Sequence, residues 1–123
     1  MSFLYWNING GLHDKLSEPN FLNYICSYDV IILSECWIDN AYDNVIDGFT
    51  CKAVPLLKSK YKQGGGIFLM IKNCFSNFIK VVKVLHDTII WLQVSKDVTI
   101  CGQDYYVGCV YLPPISSNYY KMY

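Results

Sequence analysis

The alternation of apolar and polar positions divides the chain into short elements. In Tyr28-Asp29-Val30-Ile31-Ile32-Leu33-Ser34-Glu35-Cys36-Trp37, four consecutive aliphatic residues, Val30 to Leu33, include three that are β-branched. An uninterrupted run of this kind predicts a strand buried on both faces, in the middle of a sheet. Before it, Ser2 to Ile8 reads as a first strand ending at the turn Asn9-Gly10-Gly11, where Asn and Gly tolerate positive φ. Between them, Leu12 to Ser27 reads as a helix, or as a short turn followed by one. Phe21, Leu22 and Ile25 recur at helical spacing, and Pro19 suits a first helical turn. Strand, helix, strand predicts a right-handed βαβ unit.

Beyond Trp37 the pattern changes. Asp39 to Gly48 is rich in Asp, Asn and Gly and reads as loop. Phe49 to Val54 is a short strand closed by Pro55, and Lys58 to Gly66 is a polar loop ending in three glycines. Gly66 to Ile71, Phe78 to Leu85 and Thr88 to Val94 follow as strands, and Val98–Cys101 with Tyr105–Tyr111 reads as a hairpin around Gly102-Gln103-Asp104. Pro113-Pro114 stops the last strand, and Ser116 to Asn118 offers an N-cap for a helix from Tyr119. The expected fold is α/β (α+β) with mixed sheets, as a single incomplete domain. No internal repeat, low-complexity segment or linker is present.

Composition agrees with a small packed domain. Of 123 residues, 53% are hydrophobic and only 16% charged, which excludes a disordered chain and leaves apolar surface in search of a neighbour. No apolar run approaches the roughly 20 residues of a membrane-spanning helix, and no signal peptide is recognisable. Six cysteines contain no C-x-x-C pair and sit mostly in apolar runs, so buried free thiols are expected. The two histidines, His13 and His86, have no cysteine beside them, which argues against a zinc site and for surface positions. All ten basic residues are lysine, seven of them between Lys52 and Lys83, whereas Asp29 to Asp47 holds five acids and no lysine. Such blocks suit a phosphate backbone and a cation, but taken alone they are better read as ordinary solvated faces. The lack of Arg removes the best bidentate reader of guanine, so sequence-specific DNA reading is not inferred.

The candidate chemistry centres on Glu35. A carboxylate at the end of a buried strand is costly unless something pairs with it, and a hard divalent cation takes carboxylate oxygens. A lysine partner is the plainer explanation. Two further stretches lie at strand ends: Trp6-Asn7-Ile8-Asn9-Gly10, and Val110-Tyr111-Leu112-Pro113-Pro114.

Together with Ser34-Glu35-Cys36-Trp37 and Gly64-Gly65-Gly66-Ile67, and in this order, these stretches resemble the endonuclease/exonuclease/phosphatase superfamily. They look most like its apurinic-endonuclease-like branch in non-LTR retrotransposons. The resemblance covers nearly all of the chain but only the N-terminal half of the family domain. It implies a partial four-layer α/β sandwich, truncated at the C-terminus. It implies a Mg²⁺ (or Mn²⁺) site in which Glu35 is a ligand and Asn7 and Asn9 contribute. Asn7, Glu35 and Tyr111 are then the catalytic residues present, with Tyr111 near the attacked phosphate. Pro114 stands where other branches have Asn. The family's Asp-x-Asn pair, a later Asp and a C-terminal His have no counterpart here.

That chemistry suits phosphodiester hydrolysis, in which an ion polarises a phosphoryl oxygen and stabilises the leaving group. The implied activity is nicking of target DNA to prime reverse transcription, inefficient in this chain alone. The implied partners are DNA and a downstream reverse transcriptase domain, and the implied setting is intracellular and nuclear. The alternatives are a non-catalytic remnant or binding module with the same partial fold, or another phosphodiesterase or phosphatase of the superfamily. Without the motifs, Asn7 and Asn9 read as turn formers and Tyr111 as one of eleven tyrosines. Trp6, Trp37 and Trp91 read as core, and Gly64 to Gly66 as a turn into a strand rather than a phosphate loop.

Overall fold

The structure is a computed structural model of the whole chain and describes residues 1–39, 44–55, 65–85 and 89–112. Strand β1 (Phe3–Asn7) leads into helices α1 (Leu12–Leu16) and α2 (Pro19–Ile25), then into β2 (Val30–Ser34), β3 (Phe49–Val54) and β4 (Ile67–Lys72). These strands form one mixed sheet in the order β1-β2-β4-β3. β1 runs parallel to β2, as the strand–helix–strand pattern requires, and the other two pairings are antiparallel. Strands β5 (Ile79–Leu85), β6 (Ile89–Val94) and β7 (Tyr105–Val110) make a second, antiparallel sheet.

The unbroken apolar run of β2 has a direct structural reason. Ile31 and Leu33 face α1 and α2, where they meet Leu12, Leu16 and Ile25. Val30 and Ile32 face the second sheet, where they meet Ile90, Leu92 and Cys109. Every residue of β2 is buried. Three layers result: helices, the four-stranded sheet and the three-stranded sheet. The fourth layer of the expected sandwich is not among the described residues.

Two short helices replace the longer one because Glu18 starts a new helix. Its carboxylate accepts hydrogen bonds from the backbone N–H groups of Asn20 (3.1 Å) and Phe21 (2.7 Å), with Pro19 in the first turn. At the start of the strands, Asp29 accepts from the Ser2 backbone N–H (2.8 Å) and pairs with Lys72 (3.2 Å). These contacts, the Ser2 N–H first, hold the Asp29 carboxyl below its usual range. This latch lies at the end of the sheet opposite the candidate site.

One hairpin differs from the sequence pattern. Val98–Cys101 is not a strand: Lys96–Val98 is a 3-10 turn, and β7 pairs with β6 instead. The Ser95 hydroxyl accepts from the Asp97 N–H (3.2 Å), and Asp104 accepts from the Lys96 N–H (2.7 Å), so side chains tie this segment into a loop. The tryptophans expected in the core are also placed differently. Trp6, Trp37 and Trp91 are 40%, 37% and 38% exposed, each with one face packed and one open. Of the cysteines, all unpaired, Cys36 and Cys109 are buried as expected, but Cys74 and Cys101 are exposed. His13 is at the surface. His86, Gly64, Pro113, Pro114 and the helix expected from Tyr119 lie outside the described residues. Among the described residues, no helix is long and apolar enough to cross a membrane.

Candidate metal and phosphodiester site

Parallel pairing brings the C-terminal ends of β1 and β2 together. Asn7 stands opposite Ser34, the Ile8 N–H donates to the Ser34 carbonyl (3.0 Å), and the Gly10 N–H to the Glu35 carbonyl (2.6 Å). Both strands then break abruptly. Asn9, Glu35 and Trp37 all adopt positive φ, at 54°, 54° and 55°. Such conformations are sparse for residues other than glycine and cluster where function over-determines the backbone. Here the surroundings enforce them. The Cys36 and Trp37 N–H groups donate to the Gly66 and Gly65 carbonyls (3.1 Å each), locking the end of β2 to the entry of β4. The Lys15 ammonium donates to the carbonyls of Ile8 and Gly10, so α1 holds the first loop in place.

The Glu35 side chain is 6% exposed. One carboxylate oxygen accepts from the Gly65 N–H (2.7 Å), the other from the Trp37 indole Nε1–H (3.0 Å). No lysine pairs with it among the described residues. The Tyr111 hydroxyl also interacts with this carboxylate, whose roughly four lone-pair sites leave capacity beyond these donors. Gly10 packs directly under the Trp37 ring; a Cβ at Gly10 would lie 2.6 Å from Trp37 Cδ2. Glu35 is thus held by Trp37, and Trp37 by the turn that follows β1.

Tyr111 arrives from the second sheet. Burial, then the negative Glu35 carboxylate beside it, push its hydroxyl pKa up to about 12. Tyr111 thus interacts with Glu35 and keeps its proton in the neutral range. Asn7 Oδ1 accepts from the Asn9 N–H (3.1 Å), which rigidifies the turn and aligns the Asn7 amide at the strand end. Asn9 fills the turn-forming part of its expected role, and its side chain is exposed. Asn7 and Glu35 therefore lie at adjoining ends of β1 and β2, Tyr111 interacts with Glu35 from the end of β7, and Asn9 sits in the turn after β1.

Two participants were missed by sequence reasoning. The Gly65 N–H acts through the main chain, and its only sequence signal is the glycine run. Tyr5 was the other. Its hydroxyl donates to the Val110 carbonyl (3.0 Å), tying β1 to β7 immediately before Tyr111. Burial raises its pKa, and the neighbouring Ser34 hydroxyl partly offsets this. The two hydroxyls nevertheless lack hydrogen-bond geometry, so Ser34 Oγ is a buried side-chain oxygen with no hydrogen-bond partner among the described residues. Strand alternation from Ile32 placed Ser34 on this face and was the available signal.

The donor set suits a hard cation: one nearly buried carboxylate with spare lone pairs, and nearby amide oxygens. No cluster of three or more His, Cys, Asp or Glu residues exists among the described residues. Beside the site a cleft of about 260 Å³ is lined by Gly11, Leu12, His13, Asp14 and the Trp37 segment. A hollow of about 300 Å³ lies at the opposite end of the second sheet, lined by Lys80, Gln93 and Asp104, and is remote from this chemistry.

Comparison with solved structures gives this architecture a counterpart. The AP endonuclease LMAP from Leishmania major matches it with a TM-score of 0.67 over 91% of this chain. The fold is of the endonuclease/exonuclease/phosphatase type. At 16% sequence identity the likeness is one of fold, and the chain spans 40% of the length of that endonuclease. No protein-family model matches the chain, and no curated protein sequence matches it.

Proposed function

We propose that this chain forms part of a metal-dependent phosphodiesterase, a DNA endonuclease of the retrotransposon type, and contributes its N-terminal half-site. The observation that carries this reading is the state of Glu35: nearly buried, held at both oxygens by N–H donors, without a cationic partner among the described residues, on a backbone in a strained conformation. A carboxylate held so rigidly is pre-organised for a ligand that satisfies its remaining lone pairs. Glu35 would hold Mg²⁺ or Mn²⁺, with the Asn7 and Asn9 amides in its surroundings. The ion would supply charge stabilisation at a phosphoryl oxygen.

The residues of the chain have separable roles. Glu35 fixes the position of positive charge. The protonated Tyr111 hydroxyl donates a hydrogen bond to a non-bridging phosphate oxygen, a task its raised pKa keeps available throughout the neutral range. The Asn7 amide orients phosphate or water without adding charge. The lysine-rich stretch from Lys52 to Lys83 would supply positive charge for a DNA backbone, and further chain carrying a reverse transcriptase fits the same reading. The resemblance assigns activation of the attacking water to an Asp-x-Asn pair and a His with no counterpart here. Strong cleavage by these 123 residues alone is therefore not expected.

The test has two arms. Calorimetric titration with Mn²⁺ should show binding that Glu35→Gln removes. Nicking of supercoiled plasmid in Mg²⁺ should be slow, and absent in Glu35→Ala. Efficient nicking lost in Glu35→Ala would show a more complete site than proposed. The lack of a multi-carboxylate cluster among the described residues favours a second reading, a binding module that has kept the fold without the catalysis. Metal binding that survives Glu35→Gln supports that reading against the first.

A further inference from the structure

The candidate site is divided between the two sheets. Glu35 follows β2 in the first and Tyr111 follows β7 in the second, yet their side chains interact. The sheets meet through apolar groups: Val30 and Ile32 on one side, Ile90, Leu92 and Cys109 on the other. Apolar burial is non-directional, whereas a hydrogen bond fixes both a distance and an angle. Tyr5 supplies such a directional contact beside the site. It stands opposite Ile32 in the β1–β2 register and so shares the face that looks onto the second sheet. Its hydroxyl donates to the Val110 carbonyl at 3.0 Å, in the peptide that leads into Tyr111. A partner in its own sheet is passed over. Ser34 lies on the same face, next to Tyr5, and its Oγ is buried with no hydrogen-bond partner among the described residues. A phenol has one proton to give, and Tyr5 gives it across the gap between the sheets. A hydroxyl left unsatisfied in the interior is costly, and such exceptions gather where function outweighs local pairing.

We propose that Tyr5 is a positioning residue: its hydroxyl fixes the end of β7 against β1, so that Tyr111 stands at a set distance from the ion held by Glu35. This rests on the reading of Glu35 as the ligand of a divalent ion. Tyr5 itself touches neither ion nor phosphate and acts through the Val110 peptide. Without its hydroxyl the two sheets still pack through the same apolar side chains, and Glu35 keeps its donors from Gly65 and Trp37. What is lost is the fixed spacing between the two halves of the site. A site whose supporting contacts are loosened in this way keeps its groups but not their productive geometry.

Fluorine NMR on the full chain, with a ring-fluorinated tyrosine in place of Tyr111, tests this. Bound Mn²⁺ relaxes the fluorine with the inverse sixth power of distance, so the signal reads the spacing between ion and ring. Tyr5→Phe keeps the ring and removes the hydroxyl. It should weaken that relaxation about twofold or more, as follows when a lost supporting contact loosens a site by about 1 Å. Mn²⁺ affinity, read by calorimetry, should be unchanged, because the donors that hold Glu35 are untouched. Ser34→Ala should leave the relaxation as it is, since Ser34 takes no part in the tie. Spectra without metal judge Tyr5 independently of the ion: the fluorine signal should shift in Tyr5→Phe and not in Ser34→Ala. Unchanged relaxation and an unchanged shift in Tyr5→Phe overturn the proposal. So does a Ser34→Ala effect equal to that of Tyr5→Phe, which would put the hydrogen bond within the first sheet. Mn²⁺ affinity lost in step with the relaxation would make Tyr5 a general support of the fold and overturns it too. An unmodified chain that binds no Mn²⁺ refutes the ion at Glu35 instead, and the metal-free shift then decides whether Tyr5 places Tyr111 against Glu35.

Discussion

Replacing Gly10 by alanine tests whether the turn after β1 seats the Trp37 ring and, through it, Glu35. Gly10, Gly48 and Gly102 share the left-handed conformation and differ in what surrounds them. Gly10 (φ 79°) has the Trp37 ring beside it, while Gly48 (φ 84°) and Gly102 (φ 69°) have nothing within 4 Å of an added Cβ. Alanine in this conformation costs roughly 1–2 kcal/mol, offset in part by about 0.4–1 kcal/mol from a less flexible unfolded chain. Gly48→Ala and Gly102→Ala should therefore each cost about 1 kcal/mol. At Gly10 the added methyl also meets ring carbons rather than the end of a flexible chain. Overpacking of this kind costs about 1–3 kcal/mol more, giving roughly 2–4 kcal/mol in all. With about 4 °C lost per kcal/mol in a domain of this size, the expected fall in Tm is roughly 12 °C for Gly10→Ala and roughly 4 °C for each control. Urea unfolding at fixed m-value measures the differences directly. Equal losses at all three positions would refute the seating of Trp37 on Gly10. A large loss at Gly10 with unchanged Mn²⁺ affinity would refute its transmission to Glu35.

Trp37→Phe keeps the ring packing but removes the indole N–H from Glu35; Mn²⁺ affinity, read by titration calorimetry, should fall about tenfold, since outer partners of ligands typically contribute 10–100-fold. The Tyr111 hydroxyl has its pKa raised from 10.0 to about 12, so the folded state favours the protonated form. Its stabilising contribution is complete below pH 10, the unfolded value, and is lost as pH rises towards 12. Tyr111→Phe should accordingly flatten the alkaline fall of Tm across that window. Glu18→Ala removes the two hydrogen bonds that start α2 and should cost about 1 kcal/mol in urea unfolding, with no effect on Mn²⁺ binding.

The residues that shape the site differ in how plainly the sequence announces them. β2 was legible because four aliphatic residues in a row suit only a doubly covered strand, and Glu35 stood out as the carboxylate ending it. β3 matched its expected range, since Pro55 marks its end. The hairpin partner of β7 was misread. Val98 to Cys101 has strand-like composition, but Ser95 and Asp104 capture its backbone through side-chain hydrogen bonds that a polarity pattern does not reveal. The tryptophans were misread because bulk predicts burial on average, whereas these rings each sit at a sheet end or on an outer face. Tyr5 escaped notice because its role depends on a carbonyl 105 residues away in sequence. The Gly65 N–H belongs to the backbone, and main-chain donors leave no trace in residue identity.

The parallel pairing of β1 with β2 has a consequence for how the chain can change over generations. Asn7 meets Ser34 through strand register alone, so the segment joining the two helices around Ser17 and Glu18 can lengthen or shorten without moving one relative to the other. A single codon gained inside β1 has the opposite effect. It turns Trp6 towards the second sheet and Tyr5 towards the helices, severs the hydrogen bond to Val110 and carries Asn7 past Ser34. Length variation should therefore be tolerated in the crossover and purged from the five residues of the first strand, whatever chemistry the site performs.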